Sequence, residues 1–424
     1  MKTKCKPVGM LLTIALIMGL ALAGCGKAGE KSEPKTTENP AAVVTPEDTD
    51  QRVNKETLTT CAYVTDEMYE QADCFSEGDI SRILYAMQKA QRGEKVTIGV
   101  IGGSITMGSA ASTPEQSYAG WFKKWWELSF PEAEVEFVNA GIGATTSYLG
   151  VHRVEEDLLS HNPDMVIVEF SVNDSSATEF KQSYDNLCRR ILLSESQPAL
   201  LLLFTVQENG TSAIDIHGNV GFRYNLPMLN YGACVQNEIR EGRLTWKEIS
   251  PDNIHPNNKG HQIIGEILFR YLNKLYLKSL EGEVAKNEFA TAPANGEYYM
   301  NARILNNESI EPVAYGSFEN AEVNSNLQGN WQCTAYEEPM VFELTFSNLG
   351  IAYEKYTKGA GTYEIYIDGE RVSTLTGDFE GGWGDYAETT EVFRSKEEAL
   401  HRVEIRKADT STSDRFALLA LLVS

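Results

Sequence analysis

Apolar residues in the first half of the chain alternate between two rhythms. Ile80, Ile83, Leu84 and Met87 recur at helical spacing, and residues 96–101 then form a short β-branched run that reads as a strand. The same pairing continues with an amphipathic segment at 118–130, a strand at 135–139, a helix near 151–160 and a strand at 165–170. A helix near 183–193 and the strongly apolar run 199–205 follow. Strands this apolar are buried on both faces, and strand–helix alternation of this kind builds a parallel sheet flanked by helices. A long helix at 259–280 closes this α/β region.

Past residue 281 the rhythm changes to short period-2 runs at 341–346, 362–367 and 402–405, with the hairpin signal Asp368-Gly369 between two of them. The apolar run 416–423 reads as a core strand. Residues 297–424 therefore read as an all-β, jelly-roll-like sandwich following the α/β domain at 61–285.

The amino terminus belongs to neither domain. Lys2, Lys4 and Lys6 precede an apolar run at 8–23 that ends Leu22-Ala23-Gly24-Cys25. This is a secretory signal, too short to be a spanning helix. Residues 25–60 are rich in Lys, Glu, Thr, Pro and Ala and carry too little apolar surface to fold. They read as a disordered tether; such a coil spans roughly 30–35 Å. Everything beyond residue 24 is expected to lie outside the cytoplasm.

Charge then excludes a class of partner. The chain has a net charge of −23, and losing residues 1–24 removes three lysines and no acid. Nucleic-acid binding needs Lys and Arg against phosphates, so no nucleic acid is expected. Beyond Cys5 and Cys25 the cysteines are Cys61, Cys74, Cys188, Cys234 and Cys333, without metal-ligand spacing. A Cys61–Cys74 bridge suits an exported protein; the commoner role for scattered cysteines is as small apolar residues. No metal and no cofactor are expected.

Candidate chemistry sits at the ends of the predicted strands. The strand at 96–101 runs into Gly102-Gly103-Ser104-Ile105, which turns tightly and exposes a hydroxyl where open α/β sheets place their sites. Ser104 is a candidate nucleophile. Pro251-Asp252-Asn253-Ile254-His255-Pro256 precedes the last helix, and Asp252 can fold back to fix the tautomer of His255, a candidate general base. His152, His161, His217, His261 and His401 lack such a context and read as structural. Asn139-Ala140-Gly141-Ile142-Gly143 and Ser171-Val172-Asn173-Asp174 follow two other strands. The Gly141 N–H and the Asn173 amide are candidate donors to an oxyanion beside Ser104.

Ser104, Gly141, Asn173 and His255, in this order and at these strand ends, resemble the four motif blocks of the SGNH/GDSL hydrolases, with Asp252 in the family's Asp-x-x-His. The resemblance covers residues 94–280. It implies a flavodoxin-like sheet, an acyl-enzyme on Ser104 and no metal. Ser104 N–H would join Gly141 and Asn173 in the oxyanion hole. The family's Gly-Asp-Ser-Leu is Gly102-Gly103-Ser104-Ile105 here, which alters the subfamily pattern and leaves the catalytic acid untouched.

The Leu-Ala-Gly-Cys ending likewise resembles a bacterial lipobox, which implies a lipid anchor on Cys25 as the only membrane contact. An exported SGNH domain joined to a β-sandwich resembles carbohydrate esterases that remove O-acetyl groups from polysaccharide. Trp383 and Tyr386, in the glycine-rich segment 380–386, are candidate sugar-stacking residues. A lipase or acylhydrolase, an envelope-glycan O-acetyltransferase and a non-catalytic glycan-binding lipoprotein are the alternatives; an ester assay separates the last of these from the enzymes.

Overall fold

The computed structural model describes residues 61–424 apart from residue 76. The signal segment 1–24, Cys25 and the tether 25–60 lie outside the described residues.

Five parallel strands form the first layer: β1 (Val96–Gly102), β2 (Val135–Gly141), β3 (Met165–Glu169), β4 (Ala199–Phe204) and β5 (Met228–Asn230). Their order is β2-β1-β3-β4-β5. The chain leaves β1 to one side for β2 and returns to the other for β3. This reversal opens a crevice at the carboxyl ends of the strands.

Ten helices accompany the sheet among the described residues: α1 (Asp66–Ala72), α2 (Ser81–Gln91), α3 (Ser104–Met107), α4 (Tyr118–Ser129), α5 (Ser147–Asp157), α6 (Thr178–Leu193), α7 (Ile214–Tyr224), α8 (Tyr231–Arg240), α9 (Trp246–Ile249) and α10 (Asn258–Ser279). Strand alternation divides the apolar residues between two cores. Ile98, Val100, Ile167 and Leu201 face Phe122, Trp125 and Ile267 of α4 and α10, while Val166, Val168 and Leu202 face Leu149, Leu187 and Ile191 of α5 and α6. Burial on both faces explains why these strands read as unbroken apolar runs.

Two helices begin earlier than their apolar spacing predicts. α5 starts at Ser147, not 151, and α6 at Thr178, not 183. α5 is started from outside its own sequence: Asp174 Oδ1 accepts the Ser147 N–H at 2.9 Å.

The second layer is antiparallel. It comprises β6 (Arg303–Leu305), β7 (Phe318–Ala321), β8 (Asn330–Cys333), β9 (Met340–Lys355), β10 (Thr362–Ile367), β11 (Glu370–Thr376), β12 (Tyr386–Lys407) and β13 (Phe416–Val423). The hydrogen-bonded order is β11-β10-β12-β9-β13-β8-β7, with β6 also on β13. The sandwich is this one sheet folded over: Tyr363 of β10 stacks on Phe416 of β13 at 4.5 Å and meets Phe318 of β7 edge-on at 5.9 Å, although neither strand is its neighbour.

β13 joins the two layers. Phe416, Leu418, Leu421 and Val423 enter the sandwich core, and Ala417, Leu419, Ala420 and Leu422 enter the core shared with α5 and α6. A register shift between Leu418 and Ala420 resets the alternation, and with both faces covered all eight residues are buried.

Candidate active site

β1 ends at Gly102, and Ser104 is the first residue of the four-residue helix α3, 8% exposed. Its Oγ lies 2.9 Å from His255 Nε2, although 151 residues separate them in sequence. His255 Nδ1 lies 2.8 Å from Asp252 Oδ2. A proton held on Nδ1 by the carboxylate leaves Nε2 free to accept the serine proton. Burial pushes the Asp252 carboxyl up, but hydrogen bonds from the His255 ring and from the His255 and Ile254 N–H groups, 2.7 Å each to Oδ1, outweigh it and hold the group below its ordinary value. The geometry thus brings together the three residues singled out for nucleophilic chemistry.

The loop carrying the acid and base is braced from below. Ser250 Oγ lies 2.7 Å from the carbonyl oxygens of both Asp252 and His255, and Trp246 Nε1 donates to Asp252 O at 2.6 Å. Asn257 then caps α10 by accepting the Gly260 N–H at 3.1 Å.

The structure revises the candidate oxyanion donors. The Gly141 N–H is already spent on Asn139 Oδ1 at 2.9 Å. Gly141 is a glycine for another reason: a Cβ there would lie 2.3 Å from the Met107 backbone N, so its absence lets α3 settle on β2. Gly143, which the sequence reading passed over, is the glycine beside the nucleophile; a Cβ on it would lie 3.9 Å from Ser104 Cβ. Among the described residues the N–H groups of Ser104 and Gly143 make no hydrogen bond. The signal was present in Asn139, because an Asn side chain commonly takes the N–H two residues on. Asn173 packs on the nucleophile turn with its buried, unpartnered Oδ1 beside Gly103, and its Nδ2 makes no hydrogen bond among the described residues. Ser104 N–H, Gly143 N–H and the Asn173 amide are therefore donors available to a developing oxyanion.

The remaining histidines are tied into structure. Tyr118 N–H donates to His261 Nδ1 at 3.2 Å, and burial lowers this ring to about 4. His152 is likewise lowered to about 4 by burial, with Nδ1 2.7 Å from Tyr148 O. His217 pairs with buried Asp174 at 3.0 Å, His401 with Asp368 at 2.7 Å, and His161 lies 3.8 Å from Glu136. The five described cysteines are free thiols, so Cys61 and Cys74 are not bridged. No group of three or more His, Cys, Asp or Glu among the described residues could hold a metal ion.

Trp383 and Tyr386 lie in and after the β11–β12 loop. Trp383 is 71% exposed and stacks on Tyr386 at 5.0 Å, with Phe379 edge-on to both. Among the described residues none of their ring contacts or hydrogen bonds reaches Ser104 or His255.

Residues 100–263 match the GDSL-like lipase/acylhydrolase family. Two solved structures of a two-domain esterase active on acetylated mannans, one co-crystallised with mannopentaose, resemble the whole architecture. They are 33% and 32% identical, cover 84% of this chain and 97% and 98% of their own, and superpose with TM-scores of 0.77 and 0.78. The chain belongs to the SGNH/GDSL hydrolase family. No curated protein matches it. As a member of this family it is a carboxylic ester hydrolase, built from a parallel sheet flanked by helices and an antiparallel all-β domain.

Proposed function

We propose that this hydrolase removes O-acetyl groups from a polysaccharide of the mannan type through an acyl-enzyme on Ser104. The observation that carries the reading is the chain of contacts from Ser104 Oγ through His255 to Asp252, at 2.9 and 2.8 Å. His255 takes the serine proton as Oγ attacks the ester carbonyl, and returns it to the departing sugar hydroxyl. Water, deprotonated by the same ring, then releases acetate. Ser104 N–H, Gly143 N–H and the Asn173 amide hold the oxyanion in both steps; removing one such donor costs about 100- to 1000-fold in turnover.

The glycan assignment is supported by 33% identity across nearly all of an esterase active on acetylated mannans, including its second domain. Lys2, Lys4, Lys6 and the Leu22-Ala23-Gly24-Cys25 ending support export and a lipid anchor on Cys25. Acetate release from acetylated mannan, acetylated xylan and p-nitrophenyl acetate, with Ser104→Ala as control, tests the reading. Serine-dependent release that is fastest on mannan is expected. Equal release from both glycans would remove the mannan assignment, and activity surviving in Ser104→Ala would remove the mechanism.

A further inference from the structure

Between β2 and α5 several polar groups of the chain are tied down. Asn139 Nδ2 donates to Thr106 O at 3.1 Å, and its Oδ1 accepts the Gly141 N–H at 2.9 Å. Ile142 N–H donates to Gly102 O at 3.1 Å, and Thr145 Oγ1 to Ile142 O at 2.8 Å. The carbonyls of Ala140 and Gly102, at the carboxyl ends of β2 and β1, converge on Arg153 of α5. Its Nη1 lies 2.7 Å from Ala140 O and its Nη2 3.1 Å from Gly102 O. The N–H groups of Gly143, Ala144, Thr145 and Thr146 are left without a partner among the described residues, and Gly143 lies beside Ser104.

Arg153 is 1% exposed, and its carboxylate partner Asp157, at 2.7 Å from Nη1, sits on the outer side with a third of its side chain in solvent. Burying a guanidinium is unfavourable unless its donors are satisfied. Here Nη1 and Nη2 each meet a peptide carbonyl, one immediately ahead of the nucleophile turn and one immediately ahead of the oxyanion loop, while the buried Nε has no partner. A planar fork presents a separate nitrogen to each carbonyl in fixed directions, whereas a lysine has a single nitrogen to serve both.

We propose that Arg153, with Asn139 on the opposite side of the loop, forms a positioning pair that sets the Gly143 N–H against Ser104. The inference rests on the reading of Ser104 as nucleophile. Neither residue touches substrate. Arg153 ties the ends of β1 and β2 together from within the fold, and Asn139, on the exposed side, ties the loop to α3. The donor is then already in place when charge develops on the substrate oxygen. Preorganisation of this kind acts on the transition state and leaves ground-state binding almost unchanged.

The test compares wild type with Arg153→Lys, Arg153→Met and Asn139→Ala. For each, kcat and KM on p-nitrophenyl acetate are expressed per site labelled by a fluorophosphonate, and inhibition by phenylboronic acid, which forms a tetrahedral serine adduct, is measured alongside. Per-site kcat is expected to fall about 10-fold in Arg153→Lys and Asn139→Ala and about 100-fold in Arg153→Met, with KM within about twofold and boronate affinity falling in step with kcat. A residue that only supports the fold would lower the labelled fraction or the melting temperature and leave per-site kcat alone. Per-site kcat within about twofold of wild type in Arg153→Lys, or in exposed Asn139→Ala should the Arg153 variants not fold, overturns the proposal. Absence of Ser104 labelling in the wild type would instead refute the serine hydrolase reading beneath it.

Discussion

Gly103 and Asn173 are packed so closely that a Cβ on Gly103 would lie 2.8 Å from Asn173 Oδ1. With no side chain at 103, where the family pattern has Asp, the Asn173 amide rests directly on the nucleophile turn. Gly103→Asp, which restores the family pattern, is expected to displace that amide and lower kcat about 10- to 100-fold, as partial loss of an oxyanion donor does. Steady-state kinetics on p-nitrophenyl acetate check it. Unchanged kcat would mean that the amide does not act from this position.

Ser250 is buried beneath the acid and base, bonded to the carbonyls of Asp252 and His255. Ser250→Ala leaves the His255 carbonyl without that donor, while Asp252 O keeps Trp246 Nε1, and costs about 1–3 kcal/mol of stability. It also frees the loop that aims His255 at Ser104. A fall in kcat of roughly 10-fold with KM little changed is expected from misplacement of the base. Urea denaturation and kinetics on the same preparation measure both effects.

Glu169, at the end of β3 and level with Gly102, is fully buried. Burial pushes its carboxyl from 4.5 up to about 7, against hydrogen bonds from Thr205 Oγ1 at 2.6 Å and Ser171 N–H at 2.9 Å. In this window the folded state keeps a proton that the unfolded state has lost, so stability falls as pH rises from the unfolded value towards 7 and levels off above it. The difference amounts to roughly 3 kcal/mol. Glu169→Gln keeps the acceptor and removes the titration. Relative to wild type, the variant is therefore expected to gain stability between pH 4.5 and 8 in urea denaturation, and parallel curves would show that Glu169 does not titrate there.

Trp383 stands mostly in solvent on the Tyr386 ring, so its removal disturbs little packing. If the pair is a sugar platform, Trp383→Ala raises KM for acetylated mannan several-fold and leaves p-nitrophenyl acetate unaffected. Equal losses on both substrates, or none on either, would assign the stack to packing within the β11–β12 loop alone.

Much of this architecture is legible in the sequence because burial on two faces writes unbroken apolar runs into β1, β3 and β4, and the change to period-2 runs marks the second layer. Short elements were not legible. β5 is three residues long, and the first turns of α5 and α6 draw their support from elsewhere, as with Asp174 on Ser147. Ser104, Asp252 and His255 could be read because each needs a particular residue type in a particular local setting. The oxyanion loop resisted for the opposite reason. Gly141 and Gly143 are alike as residues, and only the hydrogen bond from Gly141 to Asn139 distinguishes the spent N–H from the available one. Arg153, far from the motif blocks and on a helix, gave no sign of meeting two strand ends.

Acid-quenched turnover of p-nitrophenyl acetate, followed by peptide mass spectrometry, tests the central claim most directly. An acetyl group on Ser104 is predicted in the wild type, with none in His255→Ala, where no base removes the serine proton. Acetate release with Ser104 never acetylated, or undiminished release by Ser104→Ala, would contradict the account.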